Sequence, residues 1–145
     1  MPKKNIYYGT KEAYFDDFKP WVDTRYPDNK YIHLIRNPLS IYASLKPSKT
    51  PYPLVYILYY WRKHISHALH NAQKHKSLIV KYEDICYSPA RTIQGICNYL
   101  KIKFDDKMLD DESWKYLSGK NWETNSYYKK DAGNGFHKNA VNRWK

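Results

Sequence analysis

Apolar and polar positions divide the chain into short, separately readable stretches. Thr10 is placed to cap a helix starting at Lys11, with Ala13, Phe15, Phe18 and Trp21 partly at helical spacing and Pro20 bending or breaking it. Pro27-Asp28-Asn29 marks a turn. Tyr31 to Ile35 (YIHLI) is a short apolar run of β-formers, the pattern of a strand covered on both faces. Asn37-Pro38 then supplies a cap residue followed by proline at the first helical position, and predicts a helix through Leu45. Lys46 to Pro53 holds three prolines and reads as a loop. From Leu54 to about His75, apolar or aromatic residues at 54, 57, 58, 61, 65, 68 and 69 define one face of a long helix. Ser77 to Tyr82 (SLIVKY) predicts a second strand. Ser88-Pro89 repeats the cap-then-proline start for a helix to about Leu100, with Ile93, Ile96, Cys97 and Leu100 inward. Beyond Asp105 a short helical stretch gives way to a polar tail rich in Gly, Asn and Tyr.

The order strand, helix, helix, strand, helix implies a parallel crossover unit and hence an α/β fold. Two strands with both faces apolar need neighbouring strands and helical cover, which this pattern does not supply. The sheet is therefore expected to be part of a larger one, completed by an N-terminal half or by a second chain. With 145 residues, 42% of them hydrophobic, and no repeat or linker, residues 1–145 read as a single unit. Within it, 1–29 is a helical lead-in and 121–145 a separate tail.

Charge narrows the picture less than its size suggests. The formal charge is +11, from 25 Lys and Arg against 14 Asp and Glu, and it invites an anionic partner. Most of the cations are Lys, however, the pattern of a lysine-coated surface rather than an Arg-rich recognition patch. Two cysteines provide neither a disulfide framework nor a tetrahedral thiolate site. No apolar run reaches membrane-spanning length and the start lacks the apolar centre of a secretory signal, so the chain reads as soluble, reduced and cytoplasmic.

In open α/β sheets ligands sit at the carboxyl ends of the strands. Arg36 ends the first strand, directly before a helix start whose free N–H groups favour an anion. Tyr82-Glu83-Asp84 ends the second. A guanidinium, a helix N-terminus and a phenol on one sheet edge point to a phosphorylated ligand with an aromatic base, Arg36 forking onto a phosphate. Other groupings carry less. His64, His67 and His70 do not share one helix face and lack a completing ligand, so no metal site is assigned. Asp105-Asp106 and Asp110-Asp111-Glu112 read as helix-start charge. Trp61 reads as core, and the YILYYW run as packing rather than an acceptor groove.

Three blocks resemble the sulfotransferase family. YIHLIRNPLSIYASL is similar to its 3′-phosphate motif, an apolar strand, Arg, Asn-Pro, then Ser eight residues beyond the Arg. The RYPD turn precedes that strand as it does in the family. SLIVKYEDICYSPARTIQGICNYLKIKF resembles the second block, and FHKNAVNRWK the closing block that covers the nucleotide. The resemblance implies a P-loop-NTPase-like three-layer fold, the donor 3′-phosphoadenosine 5′-phosphosulfate, and sulfuryl transfer to a hydroxyl or amine. It implies that Arg36 and Ser44 hold the 3′-phosphate, that Tyr82 lies near the adenine, and that Lys138 and Arg143 come from the covering loop. Ser44 lies two helical turns past the cap and reaches the strand end only if the helix crosses obliquely; Ser40 is the nearer alternative.

The departures are as informative. Residues 1–35 contain one glycine, Gly9, and no phosphate loop, and Asn5 stands where a general base would be sought. Asn139 and Asn142 stand where glycines are common, and His137 replaces a frequent Arg. The catalytic residue is therefore unassigned. The chain reads as the C-terminal, 3′-phosphate half of a sulfotransferase domain, lacking the N-terminal strand and phosphate loop and inactive in transfer by itself. Asn125-Ser126-Tyr127 hints at a protein tyrosine or glycan acceptor. The alternative from another class is a non-catalytic basic module binding nucleic acid or another polyanion.

Overall fold

The computed structural model describes residues 9, 19–46, 52–73, 77–116, 118–121, 135–142 and 144–145. Its order is α1 (Lys19–Arg25), β1 (Tyr31–Ile35), α2 (Pro38–Leu45), α3 (Leu54–Gln73), β2 (Ser77–Lys81), α4 (Tyr82–Tyr87) and α5 (Pro89–Leu100). Short 3-10 turns follow at Asp106–Leu109, Asp111–Ser113 and Lys138–Ala140. The expected β-α-α-β-α unit is present. Strands β1 and β2 pair in parallel, in a register running from Tyr31 opposite Ser77 to Ile35 opposite Lys81. No helix among the described residues is long and apolar enough to cross a membrane.

Local chemistry explains most boundaries. Asn37 caps α2, its side-chain oxygen accepting from the Leu39 amide at 2.9 Å, with Pro38 in the first turn where its missing N–H costs nothing. Helix α5 closes with Lys101 in the left-handed region (φ 59°), and the Ile102 amide donates to the Cys97 carbonyl at 3.0 Å. That is a Schellman-type ending with lysine where glycine is the usual choice. The acidic pairs after Asp105 do start short helical turns. Asp105 accepts from the Lys107 amide at 2.9 Å and Asp110 from the Glu112 amide at 3.1 Å.

Several expectations change. The helix expected from Lys11 to residue 18 lies outside the described residues, and Pro20, expected to bend or break it, is the second residue of α1, where proline is tolerated. Strand β2 ends at Lys81, one residue before its expected end, because Tyr82 opens α4, a six-residue helix where the sequence pattern predicts the strand end Tyr82-Glu83-Asp84. Ser88 makes no side-chain capping bond to α5; its backbone instead links the two helices, its amide donating to Asp84 and its carbonyl accepting from Thr92. In the YILYYW run the rings pack on one another rather than into the core: Tyr56 and Tyr59 are 41% and 66% exposed, Tyr56 stacks on Tyr52 and tilts against Tyr60, and Tyr59 meets Tyr60 edge-on.

The sheet is covered unevenly. Helices α3, α4 and α5 pack against β2, while β1 packs chiefly against β2 itself. Ile32 and Leu34 share a face with their partners Leu78 and Val80. Val80 is 6% exposed, but Ile32 and Leu34 are 40% and 57% exposed. Cover on both faces of β1 is therefore not observed. Among the described residues the sheet has two strands, both of them edges, and one apolar face of β1 is open.

At the opposite end of β1 a polar knot ties α1 to the strand. The Tyr31 hydroxyl donates to Asp23 at 2.8 Å, Asn29 donates to the same carboxylate oxygen, and Lys19 pairs with Asp23 one helical turn away. The bond from Lys19, with those from Tyr31 and Asn29, outweighs burial and holds the Asp23 carboxyl at about 2. Burial, then the adjoining carboxylate, pushes the Tyr31 phenol up to about 12.

Candidate nucleotide site

The carboxyl ends of both strands open into one cleft of about 540 Å³, within the range of small-molecule sites. Ile35, Arg36 and Asn37 form one side and Lys81, Glu83 and Asp84 the other. Trp61 and Tyr87 form its walls, and Val141, Asn142, Trp144 and Lys145 of the tail lie across it. Three cations (Arg36, Lys81, Lys145) and two carboxylates (Glu83, Asp84) line it.

Arg36 is held from several directions. Its guanidinium carbon sits 4.4 Å from the centre of the Tyr82 ring, a cation–π contact. Nη2 donates to the Ala140 carbonyl at 2.6 Å, and Nε is buried without a hydrogen-bond partner among the described residues. The backbone is fixed as well, since Trp61 Nε1 donates to the Arg36 carbonyl at 2.8 Å. Trp61, expected as core, is half-buried and serves as a cleft wall tied to the strand end. Tyr82 lies beneath the guanidinium as the first residue of α4. Just below it the Cys86 thiol is pushed up, first by burial.

The start of α2 is not the open anion site expected of it. The Asn37 amide donates to Glu83 Oε1 at 2.8 Å, Pro38 has no N–H, and the Leu39 amide is taken by Asn37 itself. Glu83 already supplies the negative charge that the helix end favours. Any anion in this cleft must depend on side-chain cations, Arg36 first.

The remaining candidates divide. Ser44 turns its hydroxyl back to the Ile41 carbonyl at 2.8 Å inside α2 and does not line the cleft. Ser40 is fully buried, at 0% exposure, and donates to the Val141 carbonyl at 2.7 Å. Lys138 is exposed and begins the turn that carries Ala140 over Arg36. Arg143 lies outside the described residues, as does Asn125-Ser126-Tyr127. The structure thus brings Arg36, Tyr82 and the tail together and leaves Ser44 apart. The sequence marks Glu83 at a strand end and Trp61 as core but not their bonds at the α2 start and on the Arg36 carbonyl, and it does not single out Lys81 and Lys145 in the cleft. Only the strand-end position of Lys81 and Glu83 could have pointed to them.

A sequence model of the sulfotransferase family matches residues 14–106, more than half of the chain. The chain belongs to the sulfotransferase family. No curated protein matches it. Among solved structures it is similar to the sulfotransferase domain from the Synechococcus PCC 7002 olefin synthase, with TM-score 0.62 and 21% identity over 79% of this chain. It is also similar to the sulfotransferase domain from the curacin biosynthetic pathway, with TM-score 0.62 and 16% identity over 92% of this chain. These likenesses show the fold, an α/β sulfotransferase fold of which this chain holds part. The chain spans 41% and 53% of those two chains, about half their length or less.

Proposed function

We propose that the cleft binds the 3′-phosphoadenosine end of 3′-phosphoadenosine 5′-phosphosulfate, as the nucleotide-holding part of a domain that transfers a sulfuryl group to a hydroxyl or amine. The observation that carries this reading is the Arg36 guanidinium, laid on the Tyr82 ring at the carboxyl end of the strands with a buried, unpartnered Nε. A buried donor without a partner is costly and is satisfied by an anionic oxygen. Tyr82 offers aromatic surface beside it, and Lys138 and Arg143 of the tail are the further cations in reach of the family pattern.

The fit holds for the 3′-phosphate end only. Neither residues 1–35 nor the cleft lining supplies a glycine-rich loop or an assigned general base. When bound, the donor brings the activated sulfuryl group; this chain's residues orient and hold its nucleotide. The part that neutralises the bridging oxygen is expected from further sequence completing the sheet at β1, in the same polypeptide or in a partner. A protein tyrosine or a glycan is the acceptor class we favour.

Thermal denaturation with adenosine 3′,5′-bisphosphate and with adenosine 5′-monophosphate tests the reading. The bisphosphate is expected to raise Tm well above the monophosphate, and Arg36→Ala to remove the difference. Equal shifts from the two nucleotides would refute it.

A further inference from the structure

Two side chains four residues apart, one at the end of β1 and one in the first turn of α2, grip two consecutive carbonyls of the tail. Arg36 donates to Ala140 and Ser40 to Val141, contacts that span 104 and 101 residues of sequence. Ala140 and Val141 are each 5% exposed, so both carbonyls are fixed in a buried setting. A third tie lies farther out, where Asn142 Nδ2 donates to the Tyr87 hydroxyl at 3.1 Å. Ser40 is the sequence's alternative phosphate contact, but full burial and its bond to Val141 give it a different role.

We propose that Ser40 is a positioning residue for the 3′-phosphate site, acting through the tail rather than on the ligand. The inference rests on the nucleotide reading of the cleft. A planar guanidinium on an aromatic ring is still free to turn in its plane, and a carbonyl on one Nη fixes that rotation. The Ala140 carbonyl does this for Arg36, and Ser40, by holding the next carbonyl, keeps it in place. Without the hydroxyl the Val141 carbonyl is buried and unsatisfied, which favours lifting the tail into water. Arg36 then loses its orienting contact, and Lys145 loses its place in the cleft. Tail closure and recognition of the 3′-phosphate are thus linked through one side chain that touches no ligand atom.

Hydrogen exchange and nucleotide binding together test this on the full chain. In ligand-free protein, Ser40→Ala is expected to speed exchange of the 138–142 amides about tenfold or more, with the β2 amides little changed. Ser40→Thr, which keeps the hydroxyl, is expected to restore slow exchange. In Ser40→Ala the affinity ratio of adenosine 3′,5′-bisphosphate to adenosine 5′-monophosphate is expected to fall several-fold, through weaker bisphosphate binding, and to recover in Ser40→Thr. A general packing defect would weaken both nucleotides alike. Should Ser40→Ala not fold, Tyr87→Phe, which removes the acceptor for Asn142 at an exposed position, is expected to show the same changes at smaller amplitude. Unchanged tail exchange, or a ratio that survives a loosened tail, would overturn the proposal while leaving the nucleotide reading intact. Absence of any 3′-phosphate preference in the unmodified chain would overturn both.

Discussion

Removing the Arg36 side chain should destabilise the protein even with no ligand present, and the size of the loss follows from its contacts. The bond from Nη2 to the Ala140 carbonyl is charge-assisted and largely sheltered, worth about 1.5–3 kcal/mol. The contact with the Tyr82 ring at 4.4 Å adds about 0.5–2 kcal/mol. The buried Nε has no partner, and losing it returns roughly 1 kcal/mol of desolvation. Arg36→Ala should therefore cost about 1–4 kcal/mol, which for a chain of this size lowers Tm by roughly 3–16 °C. Arg36→Lys keeps a cation near Tyr82 but loses the planar fork, and should fall between the two. Urea unfolding followed by circular dichroism measures both, with an unchanged m-value as the check that only stability moved. The Trp61 bond uses the Arg36 backbone and survives either substitution. An Arg36→Ala midpoint indistinguishable from the parent would show that the arginine does not anchor the tail.

Other substitutions probe the rest of the account. Leu34→Ala, at a position 57% exposed, should cost less than about 1 kcal/mol, whereas Val80→Ala, on the same sheet face but 6% exposed, should cost about 2 kcal/mol; equal losses in urea unfolding would contradict the open face of β1. Lys101→Gly should stabilise α5 by about 1 kcal/mol, because the left-handed φ of 59° burdens a residue with a Cβ; a lower Tm would contradict that ending. Asp23, held at about 2 against 3.8 when unpaired, contributes stability that is present above pH 4 and lost as pH falls towards 2; Asp23→Asn should flatten that acid limb of the stability curve. Tyr31, raised to about 12 from 10.0, acts in the opposite sense: its contribution is full below pH 10 and fades as pH rises towards 12, and Tyr31→Phe should remove that dependence.

The elements that were legible in sequence carried their own local signals. Asn37-Pro38 and Ser88-Pro89 each mark a helix start, and the apolar runs YIHLI and SLIVK mark the two strands. Helix α4 was hidden because six residues are too few to show a period and Lys81 provides no side-chain cap. The exposed face of β1 could not be read from its residues, since Ile32 and Leu34 look like core and are exposed only because no element among the described residues covers them. In the site, Arg36 and Tyr82 were legible from their positions at strand ends. Their stacking, and the grip of Arg36 and Ser40 on the tail, were not. The two bonds to the tail join residues about a hundred positions apart through backbone carbonyls, which leave no mark on side-chain identity. Glu83 shows the same limit from the other side, because it fills the helix start that the sequence left open for a ligand.

The most direct test of the central claim is isothermal titration of the chain with adenosine 3′,5′-bisphosphate and with adenosine 5′-monophosphate at low and high salt. One charge-assisted contact from Arg36 to the 3′-phosphate predicts roughly ten- to hundredfold tighter binding of the bisphosphate, a ratio that persists when salt is raised. Equal affinities for the two nucleotides, or a preference that vanishes with added salt, would contradict a 3′-phosphate site in this cleft and favour a surface that binds polyanions by charge alone.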